Sequence, residues 1–219
     1  MYLSENSVLA YITLEDLDLR LAKAWRRFGH HFFRYNTGFI PDSNAYSLVV
    51  PLRIRLADFE FSKSQRKILQ KNADFVVKKG LIELNQAKYD LFYLHRKRFL
   101  DNVPESLHNF IAVEPDTSPI PTYEVSVYDK EKLIATSFVD VSTNALSSIY
   151  AMFDTYYSSY SLGNYTLLEE IIWAKELNKK YLYLGYAYQE PSFYDYKKKF
   201  SALEQYIWEE DIWVDFQKN

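Results

Sequence analysis

Asp154 and Tyr186 are the two side chains of this sequence that are best placed for acid–base chemistry. Asp154 closes a strand-forming run, so its carboxylate can act as a base or hold an ammonium group; a turn aspartate at a strand end is the alternative. Tyr186 ends a short apolar strand, and its hydroxyl can protonate or orient a leaving group unless it is a core tyrosine. We predict that both are catalytic and lie at the mouth of one cleft.

The segment between these two positions predicts how a substrate binds. By strand alternation, Ser148 and Tyr150 point into the cleft, whereas Ser147 points away. Gly163 opens a predicted helix, where free backbone N–H groups can bind an anion or a carbonyl oxygen; a plain helix-start glycine is the alternative. The predicted substrate-binding residues of this segment are Ser148, Tyr150, Ser161, Leu162, Gly163 and Tyr165.

Basic residues concentrate in the first half of the chain. Residues 1–110 carry a net charge of +5 (17 Lys and Arg, 12 Asp and Glu), and residues 111–219 carry −8 (9 against 17). This asymmetry suits a polyanion partner, although solvated helix faces give the same pattern. The candidate backbone contacts are Arg26, Arg27, Lys63, Lys67 and Lys71, and the candidate substrate-organising residues are Arg66, Asn72 and Lys197.

Composition removes several classes of site. The chain has no cysteine, which excludes disulfides, thiolate metal sites and a cysteine nucleophile. His30 and His31 are adjacent and point to different faces of a helix, and the other two histidines are isolated, so we predict no metal. With neither a signal peptide nor an apolar run of about 18 residues, we predict no membrane partner and a cytoplasmic location.

The first half of the sequence predicts alternating helices and strands. A helix is predicted over Leu14–Phe33 with Thr13 as its cap, and Ser62 is predicted to cap a short basic helix. The other predicted elements are strands over Ser47–Phe59 and Asp74–Lys78 and a helix over Asn85–Leu100. Four of the seven prolines follow in residues 102–121, which predicts a boundary between lobes 1–110 and 111–219.

The second half predicts a more regular order. Three strands, an amphipathic helix, a buried strand, a short basic helix and terminal strands follow one another. Their predicted bounds are Tyr123–Asp129, Lys132–Val141, Ala145–Asp154, Leu162–Asn178, Tyr181–Tyr186, Ser192–Phe200 and residues 203–216. This order is typical of the acyl-CoA N-acyltransferase (GNAT) core, so we predict an α+β fold with a mixed, mostly antiparallel central sheet flanked by helices.

The predicted helix lacks the feature that a CoA-dependent enzyme needs. Such enzymes open their main helix with a glycine-rich turn, whose small residues expose backbone N–H groups to the pyrophosphate. Here Tyr160–Tyr165 contains a single glycine between bulky residues. Local chemistry therefore argues against CoA as the acyl donor, although a CoA-dependent N-acyltransferase remains an alternative.

The chain resembles the arginyl-tRNA–protein transferase family, including its bacterial aspartate/glutamate leucyltransferase branch. The order and spacing of several weak motifs carry this resemblance over residues 14–213. The motifs are WRRFGHHFFR (Trp25–Arg34), PLRIRLADFEFSKSQRKILQKNAD (Pro51–Asp74), LSSIYAMFD (Leu146–Asp154), SLGNYTLLEEIIWAKELNKKYLYLGY (Ser161–Tyr186), YKKKF (Tyr196–Phe200) and LE (Leu203–Glu204).

This resemblance implies a tandem GNAT-type fold and an enzyme that moves an amino acid from aminoacyl-tRNA to a protein or peptide N-terminus. Such N-degron tagging marks the protein for degradation and needs no cofactor besides the aminoacyl-tRNA co-substrate. The basic residues would then contact tRNA, and Lys197 would meet an acceptor carboxylate or the tRNA 3′ end.

The chain departs from the family pattern around the expected cleft, which keeps a non-catalytic tRNA- or N-terminus-binding homologue as an alternative. Positions where the family usually has cysteine hold Ser43, Tyr46 and Val49. Four further positions near the motifs also differ, and they hold Thr155, Tyr160, Ala187 and Phe193.

Overall fold

The computed structural model describes residues 2–40, 44–99 and 102–217 of the chain. Ser43 and Leu100, which the sequence predictions include, lie outside the described residues. Within the described part, a nine-stranded sheet and a smaller three-stranded sheet are packed with four α-helices and short 3-10 helices.

The helices follow one another with strands between them. The α-helices are α1 (Leu14–Ala22), α2 (Lys63–Lys71), α3 (Gln86–Arg96) and α4 (Leu162–Glu176), and short 3-10 helices cover Leu107–Asn109, Thr155–Tyr160 and Phe193–Lys199. The strands are β1 (Ser4–Val8), β2 (Arg26–Phe28), β3 (His31–Tyr35), β4 (Thr37–Ile40), β5 (Ala45–Arg55), β6 (Val76–Leu81), β7 (Thr122–Asp129), β8 (Lys132–Val141), β9 (Ala145–Phe153), β10 (Tyr181–Tyr188), β11 (Leu203–Ile207) and β12 (Ile212–Asp215).

The large sheet is mostly antiparallel, as predicted. Its strand order is β12-β11-β5-β10-β9-β8-β7-β6, with β4 pairing on β5. The pairing of β10 with β9 is parallel, and the other pairings of this sheet are antiparallel. Strands from the two halves of the chain are interleaved, because β5 lies between β10 and β11. The small sheet has the order β1-β3-β2.

Helices cover both faces of the large sheet. Neighbouring residues of β8 point to opposite faces: Phe138 packs in the cluster that contains Leu91 and Phe92 of α3, whereas Val139 packs in the cluster that contains Leu168 and Ile171 of α4. Burial of these two apolar layers stabilises the sheet on each side. It also fixes α3 and α4 on opposite faces of β9.

Local capping explains where the predicted helices begin. Thr13 caps α1, Asn85 caps α3, and Ser62 caps α2 in a capping box with Gln65. Helices α1, α2 and α3 therefore start at or next to the positions that the sequence predicts, whereas strands β1 to β4 were not predicted. At α4 the cap residue Ser161 has φ 56° and makes no side-chain capping bond, so packing supplies the stability of that helix start.

The prediction of one helix over Leu14–Phe33 is wrong. Helix α1 ends at Ala22 because Ala24 adopts a left-handed conformation with φ 60°. The chain then forms the β2–β3 hairpin, which turns at Gly29 with φ 55°. Arg26 and Arg27 therefore stand on a strand.

No helix of the described residues is long and apolar enough to cross a membrane.

Candidate active site

The two central strands β9 and β10 separate after a short parallel contact. Pairing covers Ala145–Ser147 against Tyr181–Tyr183. Both strands are then irregular: β9 shifts register against β8 beyond Ser148, and β10 shifts against β5 between Tyr183 and Gly185. Such bulges bend strands away from each other. They leave a gap that begins at Ser148 on one side and Gly185 on the other.

Arg26 of β2 reaches into the start of this gap. Its Nη1 donates to Ser147 Oγ at 2.8 Å, and its Nη2 donates to the Ser148 carbonyl oxygen. On the other strand, a Cβ atom at Gly185 would lie 3.1 Å from Arg26 Cζ, and Gly185 has φ +82°. Glycine at this position therefore allows both the bulge and the close approach of the guanidinium.

Glu170 of α4 brings a buried carboxylate to the same gap. The residue is 1% exposed, and Ser148 Oγ donates to its Oε1 at 3.4 Å. Oε2 makes no hydrogen bond of good geometry among the described residues, although the Ser137 hydroxyl, which also makes none, lies close to the carboxylate. Burial raises the pKa of Glu170 to about 7, opposed by the hydroxyls of Ser137 and Ser148 and by the charges of Arg26 and Lys197.

Lys197 approaches from the 3-10 helix that follows β10. Its Nζ donates to the Tyr186 carbonyl oxygen at 3.0 Å and lies 4.9 Å from the Tyr194 ring centroid. The residue as a whole is half-buried, but its amino group points inward. Burial lowers the pKa of Lys197 to about 7, and the charge of Arg26 lowers it further, whereas Glu170 opposes this.

This arrangement suits proton transfer at neutral pH. Glu170 and Lys197 come from different elements, and each titrates near pH 7. A group with a pKa close to the working pH can both accept and release a proton. The second oxygen of Glu170 can also accept a hydrogen bond from an ammonium group. Such a bond would be favourable, because a buried carboxylate oxygen without a partner is costly.

Sequence reasoning missed Glu170, although a signal was present. Glu170 follows Leu167 by three positions and precedes Ala174 by four, so it lies on the buried stripe of α4. A glutamate on such a stripe requires an internal partner or a function.

Asp154 takes part in the local structure at the end of β9. The residue is 1% exposed, its Oδ1 accepts from Tyr156 N at 3.0 Å, and its Oδ2 accepts from Lys132 Nζ at 2.7 Å. It thereby caps the 3-10 helix that leads to α4. Its catalytic role stays a prediction.

The Tyr186 hydroxyl is bound to the backbone of the N-terminal part of the chain. It donates to the Ala24 carbonyl oxygen at 2.7 Å and lies 3.5 Å from the Phe33 carbonyl oxygen. The side chain thereby ties β10 to the small sheet, and burial raises the pKa of its hydroxyl. Protonation of a leaving group by Tyr186 stays a prediction, and its backbone carbonyl is what meets Lys197.

The bulge in β9 corrects the predicted alternation. Ser148 faces Glu170 from α4, but Tyr150 packs with the α3 cluster and stacks on Phe110 at a centroid distance of 3.8 Å. Ser147, predicted to point away, accepts a hydrogen bond from Arg26. An extra residue in a strand reverses the faces of the residues that follow it.

The start of α4 is closed by bulky side chains. Leu162 and Tyr165 are buried, and a Cβ atom at Gly163 would lie 3.0 Å from Phe153 Cε1. The glycine therefore serves close packing against β9. The N–H groups of Asn164 and Tyr165 already bond to the Ser161 carbonyl oxygen, so this turn offers little room for a pyrophosphate.

Arg26 and Arg27, which the sequence predicts to contact tRNA, are both buried, and this counts against a contact of either with the tRNA backbone. Arg27 is 2% exposed, and its guanidinium donates to Asp140, to the Gly29 carbonyl oxygen and to Thr122 Oγ1. A charge satisfied in this way has no donor left for a phosphate.

Exposed positive charge instead lies on α2. Lys63, Lys67 and Lys71 are exposed, and Lys71 Nζ donates to the Ser159 carbonyl oxygen at 2.8 Å. Asn72 Nδ2 donates to the Tyr160 carbonyl oxygen at 3.0 Å, while Arg66 donates to the Phe61 carbonyl oxygen. These contacts place α2 beside the 3-10 helix that precedes α4.

The remaining departures from the family pattern lie in different environments. Thr155 is exposed, Tyr160 packs on Phe75, Ala187 is fully buried in the α4 cluster, and Phe193 is exposed. In the ranges that the structure describes, no group of three or more His, Asp or Glu side chains could hold a metal ion. The absence of a metal stays a prediction.

Comparison with known structures shows the fold. L-PGS from Bacillus licheniformis matches with a TM-score of 0.54 at 12% identity, covering 91% of this chain and 67% of that one. FemX matches with a TM-score of 0.50 at 8% identity, covering 88% of this chain and 65% of that one.

Comparison with known sequences shows the family. The model described as "Arginine-tRNA-protein transferase, C terminus" matches residues 77–207. An aspartate/glutamate leucyltransferase of Nitrosococcus oceani is 34% identical, covering 71% of this chain and 67% of its own. One of Pseudoalteromonas atlantica is 30% identical (87% and 80%), and one of Campylobacter jejuni is 29% identical (84% and 77%). These matches confirm the family predicted from the motifs: the chain belongs to the arginine-tRNA-protein transferase family and is an aminoacyltransferase.

Proposed function

We propose that this chain transfers an amino acid from aminoacyl-tRNA to the N-terminal amine of a protein or peptide, in the gap between β9 and β10. The observation that carries the proposal is the Glu170 carboxylate, which is buried at the gap, has one oxygen without a well-formed hydrogen bond, and feels the charge of Lys197. The relatives named aspartate/glutamate leucyltransferase favour leucine as the transferred residue and an acidic acceptor residue.

The reaction needs a neutral amine and a route for its proton. The amine nitrogen forms a bond to the ester carbonyl carbon, the ester C–O bond breaks, and the ribose oxygen of the tRNA takes up a proton. Glu170 is proposed to bind the acceptor ammonium and accept its proton, and Lys197 to exchange a proton with the same site. No cofactor is proposed besides the aminoacyl-tRNA co-substrate.

Arg26 is proposed to favour the transition state through its charge. Attack on the ester places negative charge on the carbonyl oxygen, and a fixed cation in a dry site stabilises such charge strongly. The guanidinium is held on β9 by Ser147 and Ser148 and feels the charge of Glu170. The contacts of Asp154 and Tyr186 favour positioning roles for those two residues.

The tRNA is proposed to approach along the α4 side of the sheet. Helix α2 lies on that side, and its exposed Lys63 and Lys67 can contact the phosphate backbone. The closed turn at Gly163 makes CoA a poor donor.

We also propose that the fold is the tandem GNAT type, with a first lobe in residues 1–110 and a catalytic lobe in residues 111–219. The likeness to L-PGS over 91% of the chain supports this division. So does the separation of β9 from β10 in the second half.

The test supplies tRNA charged with labelled leucine or arginine together with peptides that differ in their first residue. We expect label on peptides that begin with Asp or Glu. We expect the rate of transfer to fall by about 100-fold or more in Glu170→Gln, because removal of a general acid–base group has an effect of this order. The matched control is Glu169→Gln, because Glu169 is the neighbouring carboxylate on the same helix and already pairs with Lys79 at 3.3 Å. If no peptide is labelled and no charged tRNA binds at low salt, the proposal fails.

A further inference from the structure

Arg98 lies at the opening of the gap, just beyond the end of α3. Its guanidinium carbon is 4.8 Å from the Phe153 ring centroid and 5.4 Å from the Phe193 ring centroid. Phe153 is the last residue of β9, and Phe193 begins the 3-10 helix after β10. The guanidinium therefore lies between rings that come from the two sides of the gap.

The charge of Arg98 has no protein acceptor among residues 2–40, 44–99 and 102–217. Arg98 is exposed, and no carboxylate of those residues pairs with it. Each of the other eight arginines donates a side-chain hydrogen bond to an oxygen atom. Stacking on aromatic faces holds a guanidinium plane in place while its fork of N–H donors stays open to a planar anion.

Tyr196, on the same 3-10 helix as Phe193, feels the charges of both Arg98 and the buried carboxylate of the gap. Burial raises the pKa of Tyr196 to about 12; the negative charge of Glu170 raises it further, and the positive charge of Arg98 lowers it. Both charges therefore act on the same hydroxyl. The gap therefore has an exposed positive group at its opening, Arg98, and a buried carboxylate inside, Glu170.

These two charges have the signs that one kind of acceptor requires. An N-terminal Asp or Glu carries an α-ammonium and a carboxylate separated by a few bonds. Arg98 reaches the gap from the α3 side of the sheet, whereas the α2 lysines lie on the α4 side. Because the α2 lysines are proposed to meet the tRNA, we assign Arg98, which comes from the other side of the sheet, to the acceptor.

We propose that Arg98 determines acceptor specificity by binding the side-chain carboxylate of an acidic N-terminal residue, with Phe153 and Phe193 holding its guanidinium. This inference rests on the proposed function, since it assigns the acceptor part of the same site. A bidentate guanidinium–carboxylate contact would discriminate Asp and Glu from Asn and Gln, which are almost identical in shape.

The test compares wild type with Arg98→Gln in two measurements. Calorimetric titration uses peptides that differ at the first residue alone (Asp against Asn, Glu against Gln), without tRNA. The transfer assay uses the same peptides with labelled aminoacyl-tRNA. We expect wild type to prefer the acidic peptides and Arg98→Gln to bind them at least about tenfold more weakly, with little change for the amides.

Lys97→Gln is the matched control, because Lys97 is the neighbouring exposed cation. We expect it to keep the acidic preference, and we expect Arg98→Glu to reverse that preference. An acidic preference that survives in Arg98→Gln overturns the inference, as does a wild type that does not distinguish acids from amides. Arg98-dependent peptide binding without transfer would instead support the inference and count against the proposed function.

Discussion

Two neighbouring buried arginines differ in whether the polar groups around them are all hydrogen-bonded. Arg27 pairs with Asp140, and both side chains are 1% exposed, with two further acceptors completing the guanidinium. Arg26 shares its surroundings with Glu170 and Lys197, and this set keeps a carboxylate oxygen without a partner. The first arrangement satisfies its donors and stabilises the fold. The second keeps a free energy cost that binding of a substrate can relieve.

The cost of burying the ionised Glu170 carboxylate predicts how the free energy of unfolding depends on pH. The pKa of Glu170 is raised from 4.5 to about 7, so its contribution to stability is complete below pH 4.5 and is lost as the pH rises through 7. Glu170→Gln cannot ionise and avoids this loss. We expect the variant to gain about 3 kcal/mol of unfolding free energy over wild type at pH 8, and almost nothing near pH 4.5.

Chemical denaturation at the two pH values checks this prediction. Glu169→Gln serves as the control, since Glu169 is paired with Lys79 and should show no such gain. A gain in Glu170→Gln of equal size at both pH values would mean that ionisation of Glu170 is not its source. If Glu170→Gln is more stable than wild type and has lost transfer activity, Glu170 serves the reaction at the expense of stability.

At the scale of elements, the separation of β9 from β10 depends on the irregular part of each strand. In β10 the bulge coincides with Gly185, where the backbone is left-handed and Arg26 occupies the space of a side chain. The strand therefore needs glycine for two independent reasons. The same residue makes room for the cation and turns β10 away from β9.

We predict that Gly185→Ala is destabilised by about 2 kcal/mol or more, because a Cβ atom adds backbone strain and displaces Arg26. Transfer activity should fall with it. Gly80→Ala is the matched control: Gly80 also lies on a strand, and a Cβ atom there meets nothing within 4 Å. Thermal unfolding of the two variants measures the difference, and equal midpoints would contradict the role given to Gly185.

Local signals predicted the elements better than the site. The starts of α2 and α3 could be predicted from Ser62 and Asn85, because an N-cap bonds to a backbone N–H group only three residues further along the chain. The conformation of Ala24 and the bulge in β9 are decided by tertiary packing, so the long first helix and the alternation through Ser148 and Tyr150 were predicted wrongly. Glu170 was missed because its partners, Arg26 and Lys197, come from distant parts of the sequence.

At the scale of the whole molecule, the excess of positive charge in residues 1–110 is not a surface property. Strands from both halves share one sheet, and Arg26, Arg27 and Arg53 of the first half are buried. What remains exposed on the α4 side near the gap is the lysine row of α2. A polyanion that approaches the gap from this side meets α2 first.

This geometry predicts that lysines near the start of α4 contact tRNA and that lysines near its end do not. Lys67 lies on α2, which ends at Lys71 beside Ser159, just before the start of α4. Lys180 follows the end of α4, and a helix of this length spans about 22 Å. Both residues are exposed, so Lys67→Glu and Lys180→Glu make the same change in net charge. We expect Lys67→Glu to weaken tRNA binding and to reduce the slope of log affinity against log salt by about one.

Gel-shift titrations of both variants at several salt concentrations separate local contact from overall charge. Lys180→Glu should keep a slope close to that of wild type, because its change lies far from the gap. Equal losses in the two variants would mean that tRNA responds to net charge alone. A larger loss in Lys180→Glu would move the tRNA to the opposite end of α4, where Arg55, Lys175 and Lys179 line an open cavity of about 520 Å³.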